Sequence, residues 1–292
     1  MRRHRTHVAI GSLRRWHGVG AALLALLLLL PTVLICVCCQ RRATARFWTQ
    51  RSFVAPRRCH EAVATPDDQV SGEVVRIVAM SDTHGFHSDL TVPDGDVLVH
   101  CGDAASNSHW SKRRHTDFAK FARWFKKFRH PTKFFIAGNH EDGVHAASSL
   151  GDHVLVGSRQ AFGLHFYGLP FGRRRQALLP EGIDVLLSHE PPWGVLDLAL
   201  RDADSPPELA RPIGSPALLS GLAAMRDGSP RLHVFGHVHE GRGRRLVNGT
   251  VFVNAATANR GSAKFLEHGC WVIDVRVPGP GVRAIVDSIH EH

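Results

Sequence analysis

Two histidines one residue apart, His237 and His239 in "FGHVHEG", complete a series of short motifs that each carry groups able to hold a metal. "SDTHG" supplies Asp82 and His84, "CGD" supplies Asp103, "GNHED" supplies Asn139 and His140, and "SHEPP" supplies His189. Singly, each has an ordinary reading: a turn in which Asp accepts backbone N–H groups, a loop with a left-handed Asn, a strand stopped by proline. In a chain with 21 histidines, close pairs also arise by chance. The ordered set is harder to dismiss, because burying that many Asp, Asn and His groups requires partners that a sheet does not supply.

Leaving His140 aside, the donors are oxygen and nitrogen without thiolate. That suits Mn²⁺, Fe, Zn²⁺ or Co²⁺ rather than an iron–sulfur cluster. They are too many for one tetrahedral site and fit two metals if one carboxylate bridges. Metals about 3.5–4 Å apart form an established arrangement for phosphoester hydrolysis. The Asp-x-His and His-x-His spacings would place both donors on the same side of an extended segment, because strand side chains alternate.

Each motif follows a short apolar run of strand length: "VVRIVAM" (74–80), "DVLVHCG" (96–102), "KFFIAG" (133–138), "DVLLSHE" (184–190) and "RLHVFG" (231–236), with a further run "LHFYGLP" at 164–170. Open α/β sheets bind ligands beyond the carboxyl ends of their strands, so these groups can meet in one crevice, and the neighbouring glycines permit close backbone approach. Phe118, Phe121, Ala122, Phe125 and Phe128 keep helical spacing in "HTDFAKFARWFKKFR" and predict an amphipathic helix over 115–129. A second helix is expected over Pro216–Arg226, and a hairpin turn at Asn248-Gly249 within a strand-rich last third. Helices and strands alternate early and strands dominate late, which fits an α/β sandwich of one mostly parallel and one more mixed sheet. The arginine clusters at 111–115, 171–176 and 241–245 read as solvated loops; the functional alternative is contact with an anionic substrate.

Together, Asp82-x-His84, Gly102-Asp103, Gly138-Asn139-His140-Glu141, His189 and Gly236-His237-x-His239 resemble the calcineurin-like metallophosphoesterase superfamily. With "SHEPPWG" and "VNAAT", the sequence looks most like the short metallophosphoesterase-domain-containing phosphodiesterases. The resemblance covers roughly Val74 to Asp274. It implies a four-layer αββα sandwich with two divalent metal ions at the strand ends. One ion would take Asp82, His84, Asp103 and His239; the other would share Asp103 and take Asn139, His189 and His237. His140 would be the catalytic general acid, in a reaction where a metal-bridging hydroxide attacks phosphorus in line. Some members of the subgroup have glycine in place of the first histidine of the final pair; here His237 stands.

The net charge of +10 first suggests a nucleic-acid binder. Its distribution argues against that reading. Residues 1–60 hold eleven arginines and no Lys, Asp or Glu, so subtraction leaves 25 basic and 26 acidic residues over 61–292, a net of −1. Within the basic segment, 22 residues from Gly18 to Cys39 carry no charge, enough for a membrane-spanning helix even with Pro31 inside. The expected order is a basic tail (1–17), a transmembrane or signal-anchor helix (18–39), a linker (40–72) and a metallophosphoesterase domain (73–292). A cleaved signal peptide and a mitochondrial presequence followed by a span are the alternatives. Five arginines precede the run and six follow it by residue 58, which gives the positive-inside rule little asymmetry to act on. Cys36, Cys38 and Cys39 stand at the edge of the run, as apolar helix residues or S-acylation sites.

The function expected is hydrolysis of a small phosphoester, a nucleotide among the candidates, by a membrane-held phosphodiesterase. Its rivals are a phosphomonoesterase or protein phosphatase of the same fold, a catalytically silent metal-binding scaffold, and a nuclease, which the charge of the domain disfavours.

Overall fold

The computed structural model describes residues 71–106, 111–172, 178–200, 205–226, 230–259, 265–279 and 282–292. The basic tail, the apolar run at 18–39 and nearly all of the linker lie outside the described residues. Among the described residues, no helix is long and apolar enough to cross a membrane.

In chain order the strands are β1 (Gly72–Met80), β2 (Val97–His100), β3 (Thr132–Phe135), β4 (Gly157–Ala161), β5 (Leu164–Leu169), β6 (Val185–Ser188), β7 (Leu198–Ala199), β8 (Arg211–Pro212), β9 (Leu232–Phe235), β10 (Gly243–Val247), β11 (Thr250–Asn254), β12 (Trp271–Pro278) and β13 (Ile285–Glu291). The α-helices are α1 (Ser111–Lys126), α2 (Gly143–Leu150) and α3 (Pro216–Ala224).

Two sheets form a mixed α/β sandwich. The first has the order β13-β12-β1-β2-β3, with β1, β2 and β3 parallel to one another, β12 antiparallel to β1, and the edge strand β13 antiparallel to β12. The second has the order β10-β11-β9-β6-β5-β4, with four parallel central strands and an antiparallel strand at each edge. This matches the expected division into a mostly parallel and a more mixed sheet. The β10–β11 hairpin turns at Asn248-Gly249, where both residues have positive φ.

Period-two alternation explains the layering. Along β1, Val75, Ile77 and Ala79 enter the core between the sheets, where they meet Leu164 and Phe166 of β5, Val185 and Leu187 of β6, and Leu232 and Val234 of β9. The alternate residues, Val78 and Met80, join Leu98 of β2 and Phe135 of β3 beneath α1 and α2. Strands covered on both faces read as unbroken apolar runs, which is why the sequence marks them well. Against that outer face α1 lays Phe118, Phe121, Ala122 and Phe125, all buried.

Helix α3 lies in the parallel crossover from β6 to β9. It buries Leu218, Gly221 and Leu222 and is capped by Ser215, whose Oγ accepts the N–H of Leu218 at 3.2 Å. Helix α1 starts and ends earlier than expected, because the apolar spacing marks only its buried stripe and the chain tightens at Lys127, whose N–H bonds Trp124 O. Helix α2, β4 and the β7–β8 ribbon have no counterpart in the apolar pattern. Strand β4 is a polar edge without a buried residue, and α2 buries only Ala146 and Leu150.

Phe121 lies fully buried between α1 and the first sheet, its ring 4.7 Å from His100 and 5.5 Å from Phe135. Phe121→Ala is expected to cost about 3–5 kcal/mol in urea unfolding; a loss below about 1 kcal/mol would contradict this packing.

Candidate metal centre

The sequence-marked residues all leave the carboxyl ends of strands: Asp82 and His84 after β1, Asp103 after β2, Asn139 and His140 after β3, His189 after β6, and His237 and His239 after β9. Direct bonds draw these ends together. Asp82 N–H donates to Gly102 O at 2.9 Å, His84 N–H to Asp103 O at 3.0 Å, and Gly236 N–H to His189 O at 3.1 Å. Asp82, His84, Asp103 and His189 are buried; His140, His237 and His239 are half-buried, and Asn139 is exposed, so the centre opens on their side.

The local backbone differs from the extended segments expected. Asp82, His84, Asp103 and His237 have φ of 56°, 43°, 54° and 70°, the left-handed region that non-glycine residues rarely enter. The turn at His237 and the short 3-10 turn beginning at His239 send this pair apart rather than to one side. Their ring nitrogens join different clusters. Asp82, His84 and His239 bring one ligand atom each to within 4.8 Å of one another; so do Asp103, His189 and His237; and so do His84, Asp103 and His140, which makes the clusters adjoin at Asp103. Asn139 belongs beside the second cluster, its Oδ1 2.9 Å from His189 Nε2.

The chemistry of these contacts fits bound cations. His239 Nδ1 stands 2.8 Å from Asn259 O, so it carries the proton and Nε2 presents a lone pair. That lone pair lies 3.4 Å from Asp82 Oδ1 and 3.2 Å from His84 Nε2. His189 repeats the pattern: Nδ1 donates to Cys101 O at 2.7 Å, while Nε2 faces Asn139 Oδ1 and, at 3.4 Å, Asp103 Oδ1. Asp82 Oδ1 is buried without a hydrogen-bond partner. Lone pairs aimed at one another in a buried space are costly unless a positive charge stands among them.

The titration behaviour has the same cause. Burial opposes charge on His189, but Asp103 beside it outweighs burial and pushes the imidazole up to about 10. Without a metal, a proton therefore supplies positive charge in that cluster. Burial also works against ionisation of Asp82 and Asp103, yet the neighbouring histidines, His239 and His189 respectively, hold both below the usual carboxylate range. His84 and His237, by contrast, are lowered to about 4 by burial and stay neutral, the form that binds metal.

Several supporting residues were not assigned roles from the sequence. Glu141 accepts the backbone N–H groups of Asp103 (2.8 Å), Ala105 (3.1 Å) and Gly138 (2.9 Å), stapling the loop after β2 to the loop after β3. Burial and the charge of Asp103 raise its carboxyl to about 7. Asn254 donates to Val238 O at 2.8 Å and accepts Ala256 N–H at 3.1 Å, which fixes the turn between His237 and His239. Thr257 donates its hydroxyl to Ser81 O at 2.8 Å, tying β1 to the second sheet. His100 accepts Gly102 N–H at Nδ1 (3.2 Å), leaving Nε2 to donate to Thr83 Oγ1 (3.1 Å); burial lowers it to about 3, so it serves as a neutral strut. Glycine is required at 236 and 138, where a Cβ would strike Asp82 Oδ2 and Asp103 Oδ1. The motif "GNHED" contains Glu141, but only the folded loops reveal which N–H groups it collects.

A family profile described as calcineurin-like phosphoesterase matches residues 75–241. A UPF0046 protein of Caenorhabditis elegans is 30% identical, the match spanning 64% of this chain and 71% of that protein. Human metallophosphoesterase domain-containing protein 1 is 31% identical, the match spanning 62% of this chain and 65% of the human protein. Among solved structures, vacuolar protein sorting 29 of Cryptosporidium parvum aligns over 75% of this chain and 98% of its own, with 11% identity and a TM-score of 0.37, too distant a likeness to carry an argument.

Glu141→Ala would leave three N–H groups without their acceptor in the loops that carry Asp103 and Asn139. It is expected to weaken metal binding about 10–100-fold while the far-ultraviolet circular dichroism stays that of the wild type. Unchanged metal affinity in calorimetric titration would remove Glu141 from this supporting role.

Proposed function

The chain belongs to the calcineurin-like phosphoesterase family, and on that premise we propose that it is a phosphodiesterase using two divalent metal ions. The observation that carries the proposal is the adjoining of the Asp82–His84–His239 and Asp103–His189–His237 clusters at Asp103, with His140 beside them. One ion would rest on Asp82, His84, Asp103 and His239, and the other on Asp103, Asn139, His189 and His237. Mn²⁺, Fe, Zn²⁺ or Co²⁺ in those places would act as Lewis acids on the phosphoryl oxygens.

The remaining work falls to protein groups. His140 is held by its backbone, whose N–H donates to Asp103 Oδ1 at 3.0 Å, and its Nε2 lies 3.6 Å from Asp103 Oδ2. Its ring meets that of His84 edge-on at 5.1 Å, which fixes its direction at the mouth of the centre. As the P–O bond to the alcohol breaks, His140 would give its proton to the departing oxygen, leaving neutral alcohol and neutral imidazole. Burial of Asp82, His84, Asp103 and His189 limits water on the inner side.

The diester reading rests on the likeness of the motifs "SDTHG", "GNHED", "SHEPPWG" and "FGHVHEG" to those of short metallophosphoesterase-domain phosphodiesterases. The uncharged run at 18–39 supports a domain held at a membrane, which carbonate extraction of the expressed full chain would check.

Purified full-length protein supplied with Mn²⁺ should hydrolyse bis(p-nitrophenyl) phosphate. His140→Ala should retain its metal and lose about 10²–10⁴-fold in turnover. Asp103→Ala should lose metal, and His237→Ala should lose one ion and keep the other. A wild type that is fully metal-loaded and hydrolyses no phosphoester would point instead to a silent scaffold.

A further inference from the structure

Beyond the candidate ligands, the aromatic side chain of Phe171 packs against the second cluster. Phe171 lies just after β5, on a strand end to which the sequence assigned no ligand. Its N–H donates to Ala137 O at 2.9 Å, anchoring it to the loop that carries Asn139 and His140. Its ring centroid is 5.9 Å from that of His189, edge-on, and 5.6 Å from that of His237, while the two histidine rings are 4.9 Å apart. Phe171 is half-buried, as are His140 and His237, while Asn139 is exposed.

The placement bears on which esters fit. A phosphomonoester dianion has three non-bridging oxygens, each of which needs a donor or a cation, and a phenyl wall supplies neither. A diester exchanges one of those oxygens for an ester oxygen bearing carbon and carries a single negative charge. Its carbon substituent gains from leaving water against an aromatic surface. We infer that Phe171 is a specificity-determining residue that selects phosphodiesters with an apolar or planar alcohol substituent over phosphomonoesters. The inference rests on the phosphodiesterase reading above and gives it a cause in one side chain.

The test compares wild type, Phe171→Ala and Phe171→Leu in the full-length, Mn²⁺-loaded protein. Three quantities are read: kcat/KM for bis(p-nitrophenyl) phosphate and for p-nitrophenyl phosphate, metal content, and inhibition by the non-hydrolysable pair diphenylphosphinate and phenylphosphonate. Phe171→Ala should lower the diester-to-monoester ratio about tenfold, mainly through KM, and weaken diphenylphosphinate more than phenylphosphonate, with metal content unchanged. Phe171→Leu, which restores apolar bulk, should recover most of the ratio. A wild type that cleaves the diester while Phe171→Ala keeps the wild-type ratio overturns this inference alone. Metal loss in both variants, with equal decline on both substrates, also overturns it by making Phe171 a structural support. A wild type inactive on the diester overturns the phosphodiesterase reading and this inference with it.

Discussion

Asp103 is hydrogen-bonded to two loops besides its own and stands close to a third. Its carbonyl accepts His84 N–H from the loop after β1, its N–H donates to Glu141, and its Oδ1 accepts His140 N–H from the loop after β3. The same oxygen stands 3.4 Å from His189 Nε2 after β6. The second sheet's remaining loop reaches the centre through Asp82, whose Oδ2 accepts His237 N–H at 2.9 Å. Two buried carboxylates thus organise five strand ends, and their charge demands the cationic partners that the surrounding imidazoles can share with metal.

Holding that arrangement costs free energy. Left-handed backbone at Asp82, His84, Asp103 and His237 costs on the order of 1–3 kcal/mol per residue, and buried carboxylates add desolvation. The offset comes from elsewhere in the fold. The strands that deliver these loops are locked by a dry core between the sheets and, on the first sheet, by the aromatic layer of α1. A rigid double-sheet scaffold can keep strained loops in place that would relax in a smaller domain. The two glycines at 138 and 236 complete the arrangement by letting the backbone close on the carboxylates.

The central strands were legible in the sequence where both of their faces are buried, so apolar residues follow one another in "IVAM" of β1 and "VLL" of β6. The candidate ligand residues were legible because Asp, Asn and His at five strand ends have few structural uses. The opposite directions of His237 and His239 were not, since a left-handed histidine leaves no mark in composition; only the folded φ reveals it. The roles of Glu141, Asn254 and Phe171 depend on which loops become neighbours, information that resides in strand order rather than in any local motif. Helix α2 and β4 were missed because they contribute too little apolar surface to leave a period. Among the histidines, His100 and His233 are buried inside β2 and β9 and hydrogen-bond Thr83 and Ser188, so a high histidine count does not by itself mark a metal site.

The central claim is that Asp103 joins two metal positions into one centre. Electron paramagnetic resonance of the full-length protein, saturated with Mn²⁺ and freed of unbound ion, addresses it without reference to any substrate. The wild type should give the spectrum of a magnetically coupled Mn²⁺ pair. A spectrum of isolated Mn²⁺ ions at every loading would contradict it.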